Sequence, residues 1–147
     1  MNIEKLTEDE IKDLILQKQL QWIKLCQDNF IVFAQAVWED FIYRKTKDPK
    51  QYGHHQIIAE SFQDIADGDA KRLIINMPPR HTKSEFASYL FPAWYIGKYP
   101  KKKIMQVSHN AELASRFGSK VRNLMNTPEY KQIFGNVTLR EDSKAKG

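Results

Sequence analysis

The sequence predicts an α/β fold, a parallel sheet with flanking helices that follows an N-terminal helical segment. Three observations carry this prediction. Two short apolar runs rich in β-branched residues, Arg72–Met77 and Ile104–Ser108, read as buried strands because they are too brief for helices. Each is followed by a longer stretch whose apolar residues recur at three- and four-residue steps, the period of a helix with one buried face. Their order, strand–loop–helix–strand–helix, is the order of a parallel sheet with crossover helices.

The elements follow in turn. Thr7 with Glu10 three residues on has capping-box form, in which each side chain satisfies an amide at the other's position. Leu14, Ile15, Trp22, Leu25 and Cys26 come next, then a clearer stripe of Phe30, Phe33, Ala34, Val37, Trp38 and Phe41. Residues 7–43 are therefore expected to be helical with a break near Asp28-Asn29, their aromatics packing in a core or against a partner. Residues 44–53 are charged and include Pro49 and Gly53, which marks a loop. A helix from His54 carries Ile58, Phe62 and Ile65 on one face and stops near Gly68, a residue free to take the left-handed turn that ends helices.

After the first predicted strand, Pro78-Pro79 breaks the chain and Ser84–Ile96 reads as a helix bearing Phe86, Tyr89, Leu90 and Trp94. A helix over Asn110–Met125 presents Leu113, Phe117, Val121 and Leu124, and Thr127-Pro128 opens a short one with proline at its first position. Residues 136–140 form a possible further strand ahead of a polar tail.

Composition bounds the function classes. The chain has 147 residues, the size of one domain, and its hydrophobic share of 41% suffices for a packed core. A formal charge of +5 suits a polyanionic partner but equally an ordinary solvated surface. The one cysteine, Cys26, excludes a disulfide within the chain and fits a reducing compartment. Cysteine and histidine spacings do not make a zinc site, the polar acidic N-terminus is unlike a signal peptide, and no window approaches a membrane span.

The chemistry-bearing stretch runs from Ile75 to Glu85. A predicted strand enters a tight loop that ends in Lys83-Ser84 at the head of a helix, so backbone amides and the helix N-terminus converge where an anion is favoured. In a phosphate-binding loop the lysine reaches the β- and γ-phosphates and the neighbouring hydroxyl ligates Mg²⁺, the positions of Lys83 and Ser84. The pattern G-x-x-x-x-G-K-S/T places glycines where this chain has Met77 and Thr82, and threonine disfavours the backbone that glycine permits there. On pattern alone, a strand-to-helix turn with an exposed lysine is an equal reading.

Pro78-Pro79-Arg80-His81-Thr82-Lys83-Ser84-Glu85 closely resembles the divergent phosphate-binding loop of tailed-phage terminase large subunits, commonly P-P-R-H-G-K-S-E. The resemblance extends over roughly residues 30–147. It includes Leu73–Met77, Phe91–Trp94, Gln106–Ala114, Arg122–Met125 and Pro128–Tyr130, with Phe33–Phe41 and His54-His55-Gln56 upstream. Thr82 is the departure from it.

The resemblance implies a P-loop NTPase-type sheet, with residues 1–50 as the helical segment and 51–147 as the first part of an ATPase domain. It implies an ATP-driven motor that moves double-stranded DNA into a preformed capsid, working in the host cytoplasm as a homo-oligomeric ring with a small terminase subunit and a portal protein.

ATP and Mg²⁺ would be held by Pro79, Arg80, His81, Thr82, Lys83, Ser84 and Glu85, with Ser84 as the metal ligand. Arg80 would sense the γ-phosphate or stabilise transition-state charge; its alternative is a surface arginine or an ion pair to Glu85. Gln56 would read adenine through its amide, or be a solvated helical glutamine. His54 and His55 read as helix-start residues rather than ligands. Ser108-His109-Asn110 would face nucleic acid or a neighbouring subunit, and a helix cap explains Ser108 or Asn110 equally well. Lys98, Lys101, Lys102, Lys103, Lys120 and Arg122 form either a phosphate-facing surface or a solvated charged face.

No apolar run after Ser84 ends in the paired acids of a Walker B strand, and the nuclease carboxylates of the family are missing too. The expectation is therefore an N-terminal part of a terminase, truncated or encoded by a split gene, that does not turn over ATP alone. The rival readings are a helicase-like ATPase and a non-catalytic module whose residues 7–43 dock a terminase or portal partner.

Overall fold

The computed structural model describes residues 7–38 and 53–139. In chain order the elements are α1 (Glu8–Asp28), α2 (Phe30–Val37), α3 (His54–Asp67), α4 (Lys83–Glu85), a π-helical turn (Phe86–Leu90), α5 (Phe91–Lys98), α6 (Ala111–Asn126) and α7 (Pro128–Ile133). The π-turn joins α4 to α5 without a break.

Local signals set most helix ends. Thr7 and Glu10 form the reciprocal capping box at the head of α1. Asn29, at φ −118 and ψ 116, breaks the helix between α1 and α2. Gly68 turns left-handed (φ 91) behind α3, and Asn110 Oδ1 accepts from the amides of Glu112 and Leu113 at the head of α6. Pro128 takes the first turn of α7, capped by Thr127.

The core centres on Phe30. Its ring meets Phe62, Phe86 and Phe91 edge-on at 5.8, 5.9 and 5.5 Å, and Trp94 at 5.4 Å, arrangements that suit the ring quadrupoles. Phe33 joins Tyr130 and Phe134 on the α7 side. The polar tips of the buried aromatics are satisfied: Trp94 Nε1–H donates to Cys26 O at 3.0 Å and Tyr130 O–H to Ala93 O at 2.9 Å. The boundary drawn at residue 50 lies outside the described residues; on either side of it the helices share one core.

The predicted parallel sheet is not formed: among the described residues there is no strand. Residues 72–77 and 104–108 are irregular, as are 136–139. The physical reason lies in their exposure. Ile74, Met105 and Val107 are more than 80% exposed, while Ile75, Ile104 and Met77 are half-buried. These runs have the alternation and β-branching of strands, but a strand also requires a hydrogen-bonding neighbour, and here helices fill the core. The expected helix over residues 39–43, the loop over 44–52 and Arg140 lie outside the described residues. No helix among the described residues is long and apolar enough to cross a membrane.

A candidate anion-binding turn

Pro78 and Pro79, lacking amide donors and fixing φ, lead into a turn with two left-handed side-chain-bearing residues. Arg80 has φ 65 and Thr82 φ 62. That region costs an L-residue about 1–2 kcal/mol and suits a β-branched one least. The strain therefore needs external support, and hydrogen bonds supply it. His81 Nδ1–H donates to Pro79 O at 2.9 Å. The Thr82 hydroxyl donates to His81 O at 2.6 Å and contacts His55 Nε2 at 2.8 Å. A hydroxyl has one proton and a carbonyl can only accept, so His55 Nε2–H must be the donor to Thr82.

Thr82, left-handed at ψ 9, is followed directly by the helical Lys83. A left-handed residue beside a right-handed one turns successive amides to the same side, the concavity that binds anions. The amides of Lys83, Ser84 and Glu85 precede the first intrahelical bond, from Phe86 N–H to Thr82 O at 3.1 Å, and no side chain caps them. The contiguous residues 77–85 line a depression of about 530 Å³. Pro79, Arg80, His81, Thr82, Lys83, Ser84 and Glu85 are thus brought together as a single concave surface carrying the cations of Arg80 and Lys83.

Glu85 does not pair with Arg80. Its two oxygens receive the Lys120 ammonium at 2.9 and 3.1 Å, tying the turn to α6. Lys120 also lies over the Tyr89 ring, and burial, then the nearby Glu85 carboxylate, push the Tyr89 phenol above its ordinary value. Gln56 does not line the depression; its carboxamide donates to Glu60 Oε1 at 2.8 Å along α3. Its neighbour His55 reaches the turn through Thr82.

His55 is a helix-start residue, as its sequence position predicts, and it is also buried and stacks on Phe86 at 5.3 Å. The available signal was its place in the stripe His55, Ile58, Ala59, Phe62, the buried residues of α3. His54 lies 4.0 Å from His55 and 6.0 Å from His81, ring to ring.

Lys98 pairs with Asp67 at 3.1 Å and sits over Trp94, Lys120 pairs with Glu85, and Lys101, Lys102 and Lys103 are exposed in the turn after α5. Asn110 caps α6.

No trio of metal-ligating side chains occurs among the described residues. Ser84 offers a single exposed hydroxyl at the helix head, which fits a magnesium ion that arrives on a triphosphate and keeps most of its water. Comparison with protein-family models, with curated proteins and with solved structures finds no match for the chain.

Proposed function

We propose that this chain is the nucleotide-binding part of a terminase large subunit, taking ATP with Mg²⁺ at residues 77–85 in the service of packaging double-stranded DNA. One observation carries the reading: Lys83–Glu85, whose amides no side chain caps and which follow a left-handed Thr82, line the same depression as Arg80. Backbone donors, a helix N-terminus and two cationic residues lining one hollow favour a polyphosphate over a neutral ligand. The identity of the sequence around the turn, Pro78 to Glu85, adds the terminase-like reading.

In this role Lys83 binds the β- and γ-phosphates as a point charge and Arg80 presents its planar fork to phosphate oxygens. Ser84 supplies one oxygen to magnesium carried on the nucleotide. The small terminase subunit, the portal, duplex DNA and a ring of like subunits are the partners this reading entails.

Titration calorimetry with Mg·ATP tests it. Lys83→Ala is expected to weaken binding at least about tenfold, the effect of losing one charge-assisted contact, with a Lys103→Ala control close to the parent. Equal affinity of Lys83→Ala and the parent chain would sink the reading.

A docking module is favoured by a separate observation. Ile15, Leu16, Leu20 and Leu25 of α1 are about half exposed, more apolar surface than one helix face normally leaves open. An absence of nucleotide-dependent protection around Lys83, in hydrogen exchange, would shift the assignment to that reading.

A further inference from the structure

The geometry points to His55 as the positioning residue of the anion-binding turn: its Nε2–H holds the Thr82 hydroxyl and so fixes Thr82 in the left-handed conformation that glycine would adopt unaided. The inference rests on the phosphate-binding reading above and deepens it.

Four observations meet at this pair. Thr82 is β-branched and left-handed (φ 62), a combination its own preferences oppose. Its hydroxyl spends its one proton on His81 O (2.6 Å), leaving a lone pair for His55 Nε2–H at 2.8 Å. His55 is itself a fixed post: it is 9% exposed, its ring stacks on the fully buried Phe86, and its helix is anchored through Ile58 and Phe62.

A threonine ahead of a helix ordinarily turns its hydroxyl onto the amides of the first turn. Here the hydroxyl faces His55 and His81 instead, and the first turn has no side-chain cap. His55 thus does two things through one bond. It offsets the strain of a side chain where the loop pattern has glycine, and it keeps the Thr82 oxygen away from the amides that would receive a phosphate.

A four-variant cycle tests this, with inorganic tripolyphosphate as the probe and calorimetry as the readout. His55→Ala in the Thr82 chain is expected to weaken binding about tenfold, and in the Thr82→Gly chain the same change is expected to cost about twofold, because glycine no longer needs the bond. Thr82→Val, which keeps the branch and removes the hydroxyl, reproduces the His55→Ala loss. His55→Gln, which retains an N–H donor, recovers part of it.

Equal losses from His55→Ala in both backgrounds overturn the proposal, since they would mark a general packing defect. So does Thr82→Val binding like the parent. Should the parent chain not bind tripolyphosphate, the phosphate-binding reading itself fails, and the bond is read without ligand. Amide exchange at Lys83 and Ser84 is then expected to quicken in Thr82→Val and His55→Ala relative to the parent, at matched global stability. Unchanged exchange in both variants overturns the positioning role.

Discussion

The ammonium of Lys120 closes on both carboxylate oxygens of Glu85, at 2.9 and 3.1 Å, and so places a neutralised acid on the candidate anion-binding turn. Both side chains are about a third exposed, so the pair contributes at most about 1 kcal/mol to stability. Its effect on anion binding is predicted to be larger in kind. Lys120→Met exposes the Glu85 charge to the ligand and is expected to weaken tripolyphosphate binding severalfold at low salt, while Glu85→Gln strengthens it about two- to threefold. Titrations at two ionic strengths check the sign; weaker binding by Glu85→Gln would contradict this placement of charge.

Gly97 is fixed by a close approach rather than by its backbone. A Cβ there would lie 2.5 to 2.7 Å from three ring atoms of Phe134, and Phe134 is itself 5% exposed. On helix propensity alone Gly97→Ala should stabilise by about 1 kcal/mol. The clash is expected to reverse the sign, giving a loss of about 1–3 kcal/mol in urea unfolding. Adding Phe134→Leu should recover part of that loss, whereas an unchanged or raised midpoint for Gly97→Ala alone would show that the ring yields.

What the sequence revealed divides by the range of the interaction. The Thr7–Glu10 box, the left-handed Gly68, the Asn110 cap and Pro128 are each set within about one turn of chain, and each was legible. The sheet was not, because Ile74, Met105 and Val107 carry strand propensity without saying what would pair with them. At the candidate site, the contiguous run from Arg80 to Ser84 could be read directly. The His55–Thr82 bond spans 27 residues, and neither residue names the other. Lys120 reached Glu85 across a similar gap, so the charge balance of the turn was equally invisible.

Gln63 spans the break between α1 and α2, accepting from Phe30 N–H at 2.9 Å and donating to Asp28 O at 3.1 Å. It donates to Asp67 Oδ2 as well, at 2.7 Å. Gln63→Ala is therefore expected to cost about 1–3 kcal/mol, chiefly by leaving the Phe30 amide unpaired beside the aromatic core.

The Gln63 amide, and after it the Lys98 ammonium, hold the Asp67 carboxyl below its ordinary value. A carboxylate whose folded pKa is depressed contributes stability that is present above its unfolded value, about 3.9, and is lost as pH falls through the folded one. The parent chain should accordingly lose this contribution below about pH 4. Asp67→Asn should flatten that part of the stability–pH curve, measured by urea unfolding at several acidic pH values. A curve of unchanged slope would remove Asp67 from the acid response.

Cys26 is fully buried, its carbonyl accepting from Trp94 Nε1–H, and burial pushes its thiol up to about 11. At pH 8 about one thiol in a thousand would then be ionised, against roughly a quarter for an exposed cysteine. Burial also excludes reagent, so both effects act in the same direction. Modification by an aromatic disulfide reagent at pH 8 is expected to be at least about a hundredfold slower in the native chain than in denaturant. The labelling rate should rise with urea in step with loss of the tertiary tryptophan signal. Rapid native labelling would mean that α1 opens from the core independently of global unfolding.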